Sequence, residues 1–351
     1  MTLLALDWAL LIEKFVLIAI VIMASLVIAM YETYIERKVA AWLQDRIGPD
    51  RAGPFGILQP LADGAKLFFK EEIIPNSSNK FLFILGPCLA MMTAMMTSAV
   101  VPWGDTINFF GRTVHLQIAD INIGILYIFG VVSLGVYGIM IGGWASNNKF
   151  SLLAALRGAS QVISYELAMG ISLIALLMIT GSLSLKTIVE QQINDKHHLW
   201  YVAYQPLGFL IFFICALAEC NRAPFDLPEA ESELNMGYHQ EYSSMKLGFY
   251  LFAEYINMFV SSVIMATVFW GGYDMPFFNA AAHSANFDAI IGIVALMVKV
   301  FIFIFIFMWI RWSLPRFRYD QLMRLGWKVL IPLALFNMMV TGAVVLWLNN
   351  K

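Results

Sequence analysis

Charged side chains are scarce in this sequence. Aspartate, glutamate, lysine and arginine make up 13% of the 351 residues, whereas a soluble domain is about one quarter charged. Hydrophobic residues make up 60% of the chain. This composition excludes an ordinary soluble domain and predicts a protein that resides in a membrane.

Cysteine is also rare, and the three cysteines (Cys88, Cys215 and Cys220) form no CxxC pair. An ordinary iron–sulfur cluster is held by four thiolates, so this chain alone cannot hold one. No Walker loop and no GxGxxG motif occurs, so nucleotide binding has no support. The adjacent His197 and His198 allow either a metal site or a solvated loop. We expect a solvated loop and no bound metal.

Long apolar runs recur along the chain, and a helix needs about 20 mostly apolar residues to cross a bilayer. The runs predict eight spans, at 15–34, 81–101, 121–145, 162–183, 204–219, 247–270, 289–310 and 329–348. We expect helices because the backbone must satisfy its own hydrogen bonds in lipid. No basic leader precedes the first run, which is therefore expected to be a permanent helix. The prediction is an all-α integral membrane protein in which residues 1–351 form one polytopic domain.

Basic residues are distributed unevenly among the loops. The loops after the first, third, fifth and seventh spans hold 16 of the 22 lysines and arginines. Short basic loops stay in the cytoplasm, so these four loops are predicted to face inward and both termini outward. The inward loops also carry the most complex sequence, which predicts that a soluble partner docks on that side.

The first inward loop contains two sharp turns and a short helix. Two Gly-Pro pairs, at 48–49 and 53–54, fix the turns. The following "GILQPLADGAKLFFKE" predicts an amphipathic helix at the membrane interface, with Lys66 and Lys70 four residues apart on one face. Such a helix serves either as a topological anchor or as the frame of a port for a lipid-soluble ligand, and the pattern alone does not choose between them.

Acidic residues concentrate in "PFDLPEAESELNMGYHQEY", residues 224–242, which contains no lysine or arginine. Its acids are Asp226, Glu229, Glu231, Glu233 and Glu241. Such a loop is often only solvated. Three more acids lie within spans, however: Glu166 near the start of the fourth, Glu219 at the end of the fifth and Glu254 within the sixth. A charge at membrane depth costs several kcal/mol, so such residues tend to face a wet interior and to be functional.

These acids are expected to converge near the cytoplasmic ends of their helices. Two carboxylates about 7 Å apart repel by roughly 2.4 kcal/mol at an effective dielectric near 20. Repulsion and burial both favour proton retention, so some members are expected to exchange protons when a nearby charge changes. Lys299, within the seventh span, needs a partner, and an acid of this cluster is the expected one.

Three long segments of the sequence resemble one known family. They are "ERKVAAWLQDRIGPDRAGPFGILQPLADGAKLFFKE", "PFDLPEAESELNMGYHQEYSSMKLGFYLFAEY" and "WIRWSLPRFRYDQLMRLGWK". They look like the signature segments of one membrane component of respiratory complex I, which is the H subunit in bacteria and subunit 1 in mitochondria. The resemblance covers essentially the whole chain, including the eight spans.

The resemblance implies a role in a proton-translocating NADH:quinone oxidoreductase of the bacterial inner membrane. Soluble partner subunits would carry electrons through FMN and iron–sulfur clusters to a quinone substrate, while this chain holds no redox cofactor and binds no nucleic acid. The implied partners are the subunits that form the quinone site and carry the terminal cluster, the neighbouring membrane-arm subunits, and lipid.

The resemblance also implies two sets of site residues. The proton passage would use Glu166, Glu219, Asp226, Glu229, Glu231, Glu233, Glu241, Glu254 and Lys299. The quinone chamber would use Glu36, Arg37, Arg46, Arg51, Phe225, Arg311, Arg316 and Arg318. For the arginines, the other interpretation is that they set topology and pair with loop acids; for Phe225, it is packing.

Two other functions share some of these features. A cation–proton antiporter would also use acids and a lysine within the membrane, but no internal repeat is evident. A membrane-bound hydrogenase contains a related membrane component, which would have different soluble partners.

Overall fold

The computed structural model describes residues 8–109, 112–194, 199–229, 231–275 and 285–349. Its helices are α1 (Trp8–Leu43), α2 (Gln59–Phe69), α3 (Lys80–Thr97), α4 (Gly124–Ala145), α5 (Lys149–Thr180), α6 (Leu185–Ile193), α7 (Tyr201–Tyr204), α8 (Pro206–Glu219), α9 (Glu231–Leu234), α10 (Ser244–Phe269), α11 (Ala285–Ser313), α12 (Tyr319–Arg324) and α13 (Ile331–Asn349). A π-helical segment, Leu325–Leu330, joins α12 to α13. The predicted all-α membrane architecture is confirmed.

Seven helices of the described chain are long and apolar enough to cross a membrane. They are α1, α3, α4, α5, α10, α11 and the continuous α12–α13 segment. The remaining predicted span, 204–219, corresponds to α8, which has 14 residues. At about 1.5 Å per residue, α8 is roughly 21 Å long, shorter than the ~30 Å hydrocarbon core.

Helix α5 begins much earlier than the sequence predicted. Its first residue is Lys149 rather than 162, because the Asn148 side chain caps the helix by accepting a hydrogen bond of 3.0 Å from the Phe150 backbone N–H. The helix ends at Gly181, whose φ of 64° is left-handed. Glu166 therefore lies in the middle of α5, and the expectation that it is near the start of its span was wrong.

Helix α1 also exceeds its predicted range of 15–34. Its 36 residues extend about 54 Å, well beyond the hydrocarbon core. The helix therefore continues through Glu32 and Glu36, which are four residues apart and share one face. Both side chains are buried.

Helix α10 is the centre of the bundle. It contacts α1, α2, α3, α8 and α11, and it is buried along most of its length. The Tyr250 hydroxyl donates to the Gly138 carbonyl oxygen at 3.0 Å, next to Gly142. A Cβ atom at Gly142 would lie 1.9 Å from that hydroxyl, so glycine permits this close approach of α4 to α10.

The interfacial helix forms as predicted. Helix α2 packs against α1 and α10, and its exposed apolar residues include Leu61, Phe68 and Phe69. It ends at Phe69, so Lys70 is the residue that follows the helix.

A two-stranded hairpin was not predicted, because this outer loop appeared short and featureless. Strand β1 (Thr106–Phe109) pairs antiparallel with β2 (Arg112–His115). The Asn286 side-chain amide donates to the Asn108 carbonyl oxygen at 3.0 Å, and the Asn108 N–H donates to Asn286 Oδ1 at 2.6 Å. These bonds tie the hairpin to the start of α11.

Candidate functional site

The segment between α8 and α10 is held against the bundle by hydrogen bonds to its backbone. The Gln161 side-chain amide donates to the carbonyl oxygens of Ala218 at 2.8 Å and Phe225 at 2.7 Å. The Phe317 N–H donates to the Pro224 carbonyl oxygen at 3.1 Å, which brings the segment after α11 to the same place. Helices α1, α5, α10 and α11 therefore meet around the first acidic residues of this segment.

The central pair of the site is Arg222 and Glu254. Arg222 Nη2 lies 3.4 Å from Glu254 Oε2, and each side chain has 6% of its surface exposed. The Tyr238 hydroxyl donates to Glu254 Oε1 at 3.1 Å. Burial of two charges is costly unless they are paired, so each side chain depends on the other.

A second charged group, on α1, adjoins this pair. The Tyr255 hydroxyl donates to Glu36 Oε2 at 2.8 Å, and Arg311 donates to Glu36 Oε1. The Arg222 guanidinium lies over the Tyr255 ring, 4.2 Å from its centroid. Tyr255 thus links Glu36 of α1 to the Arg222–Glu254 pair.

A third group lies at the outer edge of the site. Arg316 Nη2 lies 3.0 Å from Asp226 Oδ2, and Asp226 is buried. Burial, with the negative charge of Glu229 nearby, raises the pKa of Asp226 to about 7. The positive charges of Arg316, Arg311 and Arg222 limit that rise. Asp226 is therefore ready to gain or lose a proton near neutral pH.

Glu229 shows the opposite behaviour. Burial pushes its pKa upward, but the positive charges of Arg222 and His239 outweigh burial and hold the pKa below its ordinary value. A hydrogen bond with Glu254 acts in the same direction. Neighbouring acids of one loop thus hold protons with different strength. We call Glu32, Glu36, Arg222, Asp226, Glu229, Tyr238, Glu254, Tyr255, Arg311 and Arg316 the charged cluster.

Sequence reasoning missed four members of the charged cluster: Glu32, Arg222, Tyr238 and Tyr255. Glu32 had a usable signal, because it lies one helical turn before Glu36 in an apolar helix. Arg222 had one too, since it directly precedes the acidic segment and is its nearest positive charge. The two tyrosines had none, because an aromatic residue next to a span is common.

A groove of about 1,020 Å³ opens between α1, α2 and α10. Its wall is apolar at Leu67, Leu247 and Phe252, and it reaches Tyr255 of the charged cluster. Arg37 lies on the same wall and pairs with Asp63 of α2 at 2.6 Å. The groove thus combines apolar surface with polar groups near its end.

A cavity lies on the other side of Glu254. It has a volume of about 540 Å³, and both Glu254 and Glu219 line it. A second cavity, of about 400 Å³, has apolar walls apart from Glu219 and Ser261. Glu219 therefore lines both cavities.

Glu166 lies farther out, on α5. It accepts a hydrogen bond from the Ser133 hydroxyl of α4, and it borders an open apolar groove that includes Phe129 and Leu167. Glu166 and Glu219 are close enough for their charges to interact. The acids of the spans do not converge at one point; they follow one another from Glu254 through Glu219 to Glu166.

Lys299 does not join the acids, and the expectation that an acid of the cluster is its partner was wrong. Its ammonium donates to three backbone carbonyl oxygens, of Trp270 at 2.7 Å, Gly272 at 2.9 Å and Asp274 at 2.7 Å. These carbonyls follow the last turn of α10, which has no further N–H groups to bind them. Trp270 is 16 residues beyond Glu254, about 24 Å along the helix.

The other predicted residues lie at the margin. Glu233 pairs with Arg157 at 2.8 Å, and Glu241 accepts a hydrogen bond of 2.8 Å from Asn148. Arg46, Arg51 and Arg318 are exposed. The side chain of Glu231 and the residues His197 and His198 lie outside what the structure describes.

Phe225 packs in the core. Its ring lies 5.4 Å from that of Tyr165 and 5.5 Å from that of Phe317, and it is buried. No described group of three or more histidine, cysteine, aspartate or glutamate side chains has the arrangement of a metal site.

Known proteins resemble this sequence over nearly its whole length. Residues 15–342 match the family described as NADH dehydrogenase. An H subunit of NADH-quinone oxidoreductase from Cytophaga hutchinsonii, numbered H 1, is 62% identical over 96% of this chain and 97% of its own. The H subunit of the same enzyme from Flavobacterium johnsoniae is 60% identical over 96% of each chain. The H subunit from Flavobacterium psychrophilum is 62% identical over 97% of this chain and 99% of its own.

These matches extend through the charged cluster, the groove and every span. The resemblance noted from three sequence segments is thus confirmed across the molecule. The chain belongs to the NADH dehydrogenase family and, within it, to the H subunits of NADH-quinone oxidoreductase.

Proposed function

We propose that this chain forms part of a quinone chamber and couples quinone reduction to proton translocation through a passage of carboxyl groups. The observation that carries the proposal is an unbroken series of contacts. The groove reaches Tyr255, Tyr255 binds Glu36 and stacks on Arg222, and Arg222 pairs with Glu254. Glu254 lines a cavity that it shares with Glu219.

The groove suits a quinone that arrives from the membrane. An isoprenoid tail is apolar and would lie against Leu247, Leu251 and Phe252. The ring carries two carbonyl oxygens that accept hydrogen bonds, and Tyr255 offers a hydroxyl at the end of the groove. Ligand sites commonly combine an apolar wall with a few polar groups in this way.

The charged cluster is suited to respond to quinone reduction. Two electrons reach the quinone and two protons must follow, so the charge near Tyr255 and Glu36 changes during turnover. The pKa of Asp226 is near 7 and that of Glu229 is below its usual range, so a change in nearby charge would redistribute protons between them. Glu254, Glu219 and Glu166 would then carry protons deeper into the membrane arm.

The proposed passage is smaller than the set predicted from sequence. Glu233 and Glu241 are left out because each is engaged at the margin, with Arg157 and Asn148 respectively. Lys299 is left out because it binds carbonyl oxygens about 24 Å from Glu254.

Electron transfer would come from other chains. The proposed partners are soluble subunits that carry FMN and iron–sulfur clusters and dock on the cytoplasmic loops, together with neighbouring membrane subunits. The proposed orientation places both termini on the periplasmic side of the inner membrane, because the basic loops face the cytoplasm.

The first experiment replaces Glu219 by Gln in the assembled enzyme. The substitution keeps the size of the side chain and removes its ability to carry a proton. We expect proton translocation per quinone reduced to fall sharply in membrane vesicles. Glu190→Gln on α6, where Glu190 is exposed and pairs with Lys186, is the matched control. If Glu219→Gln leaves both quinone reduction and pumping intact, the passage is abandoned.

Capture of a tagged chain from gently solubilised membranes separates this function from its alternatives. We expect flavin- and cluster-bearing NADH dehydrogenase subunits to accompany it. A nickel–iron hydrogenase in their place would retain the fold and remove the quinone assignment. A chain that comes out alone and exchanges cations in liposomes would support an antiporter.

A further inference from the structure

Glu32 is the most deeply buried acid of the charged cluster. Its relative exposure is 0%, and neither Oε1 nor Oε2 has a hydrogen-bond partner among the described residues. Glu36, one turn further along α1, is bonded by both Tyr255 and Arg311. Two acids on one helical face are therefore in opposite situations, one fully bonded and one without a donor.

An ionised carboxylate without donors is very costly in a buried place. Burial of an unpaired charge costs many kcal/mol, whereas a neutral carboxyl costs only a few. Only an ion pair with good geometry, or a bound proton, removes that cost. In the arrangement seen here, Glu32 has no such ion pair, so the carboxyl group holds its proton.

Arg222 has the complementary deficiency. Its Nε and Nη2 atoms are buried without a hydrogen-bond partner in the described structure, although Nη2 is 3.4 Å from Glu254 Oε2. That Glu254 oxygen also lacks a hydrogen bond. Arg222 and Glu36 are the charged side chains near enough to Glu32 to interact with it. The guanidinium therefore has free donors beside an acid that has free acceptors.

We propose that Glu32 is a further proton-holding residue of the charged cluster, which releases its proton when Arg222 turns to donate to its carboxylate. This inference rests on the proposed function, because it adds a residue to the same passage. It is not implied by the resemblance segments, since Glu32 precedes the first of them.

The proton transfer step is balanced within the cluster. The O–H bond of Glu32 breaks and its electron pair stays on the Glu32 carboxylate, which gains hydrogen bonds from Arg222. The proton passes to the Glu36 carboxylate, which becomes neutral and releases Arg311. No electron is exchanged in this step. The reverse transfer reloads Glu32 when Arg222 returns to Glu254.

The test is infrared difference spectroscopy of the assembled enzyme on reduction of its quinone. A carboxyl group that gains or loses a proton contributes a C=O stretching band, and an amide does not contribute at that frequency. We expect one carboxyl band of the wild-type difference spectrum to vanish in Glu32→Gln. Glu13→Gln, at the other end of α1, is the matched control and should keep every band.

The outcomes separate this inference from the proposed function. A wild-type spectrum in Glu32→Gln, together with pumping lost in Glu219→Gln, would overturn the role of Glu32 and leave the passage standing. A band lost in Glu32→Gln, with Glu219→Gln silent, would leave the proton on Glu32 and remove the passage. If Glu32→Gln does not assemble, Glu32→Asp decides: its band should shift in frequency, and an unshifted spectrum would overturn the inference.

Discussion

Arg222 Nη2 lies 3.4 Å from Glu254 Oε2, with only 6% of either side chain exposed. This ion pair joins the segment after α8 to the centre of α10. It also lies between the groove at Tyr255 and the cavity shared with Glu219. The two halves of the proposed site therefore meet at one buried pair.

Replacement of Arg222 by Met should prevent assembly. Loss of one partner of a buried ion pair costs about 3–5 kcal/mol, because the other charge remains buried. Arg222→Lys keeps the charge without the forked geometry and should restore part of the assembled enzyme. The measurement is the amount of intact complex on a native gel.

Arg157→Met is the matched control for that prediction. Arg157 pairs with Glu233 at the surface, where 34% and 60% of the side chains are exposed. Exposed pairs contribute about 0–1 kcal/mol, so assembly should be near normal. Equal losses in Arg222→Met and Arg157→Met would contradict the importance of burial.

Asp226 should give the enzyme a pH-dependent stability. Its pKa is raised from 3.8 to about 7, so the folded protein binds this proton more tightly than the unfolded chain does. The stabilisation is fully present below the unfolded pKa and is lost as the pH rises through about 7. Asp226→Asn should flatten this dependence between the unfolded and the folded pKa of Asp226.

The measurement for Asp226 is the midpoint of thermal inactivation against pH. A single proton difference gives a slope of about 1.4 kcal/mol per pH unit in the free energy of unfolding. Glu190→Gln should keep the wild-type curve. If Asp226→Asn keeps it as well, the group with a pKa near 7 is not Asp226.

Gly64 offers a way to fill the groove without disturbing the helix. It lies on the groove wall in α2, and a Cβ atom there would meet nothing within 4 Å. Gly64→Phe should raise the KM for a quinone with a long isoprenoid tail. The KM for a short-tailed analogue should change less, because the ring sits deeper than the substituted position.

Gly130→Phe is the control for the groove. Gly130 is exposed on α4, and a Cβ atom there also meets nothing within 4 Å. It should leave both KM values unchanged. A Gly64→Phe enzyme with wild-type KM for the long-tailed quinone would remove the groove from the quinone path.

Lys299 should matter for assembly rather than for turnover. Its three hydrogen bonds satisfy carbonyl oxygens after the end of α10. Lys299→Met leaves them unpaired, and each buried unsatisfied group costs about 1–3 kcal/mol. We expect less assembled enzyme with a normal rate of pumping for each complex that forms.

Lys186→Met serves as the comparison for Lys299. Lys186 is partly exposed and lies 3.9 Å from both Asp120 and Glu190. Its loss should change neither quantity. A Lys299→Met enzyme that assembles fully but does not pump would return Lys299 to the proton passage.

The sequence predicted the spans well because hydropathy depends on local composition. It was less successful at the start of α5, where polar residues such as Arg157 and Gln161 hid a helix that Asn148 begins. The span limits there were consequently wrong, and Glu166 was assigned to a helix end rather than its middle. Hydropathy finds the buried part of a helix and overlooks its extension beyond lipid.

The site was harder to predict because its geometry depends on contacts between distant segments. Asp226 and Glu254 were identified as acids in a setting that is costly for charge. Their partners Arg316 and Arg222 could not be assigned, since nothing local shows which guanidinium faces which carboxylate. Lys299 shows the same limit: its charge was correctly judged to need partners, but those partners are backbone carbonyls.

Photolabelling of the assembled enzyme with a long-tailed quinone that carries a photoreactive group tests the central claim most directly. The account predicts that the label maps to this chain, on α2 between residues 59 and 69 and on α10 near residues 247–255. Excess unlabelled quinone should prevent the labelling. Label found only on partner subunits, with these two segments unmodified, would contradict a quinone chamber in this chain.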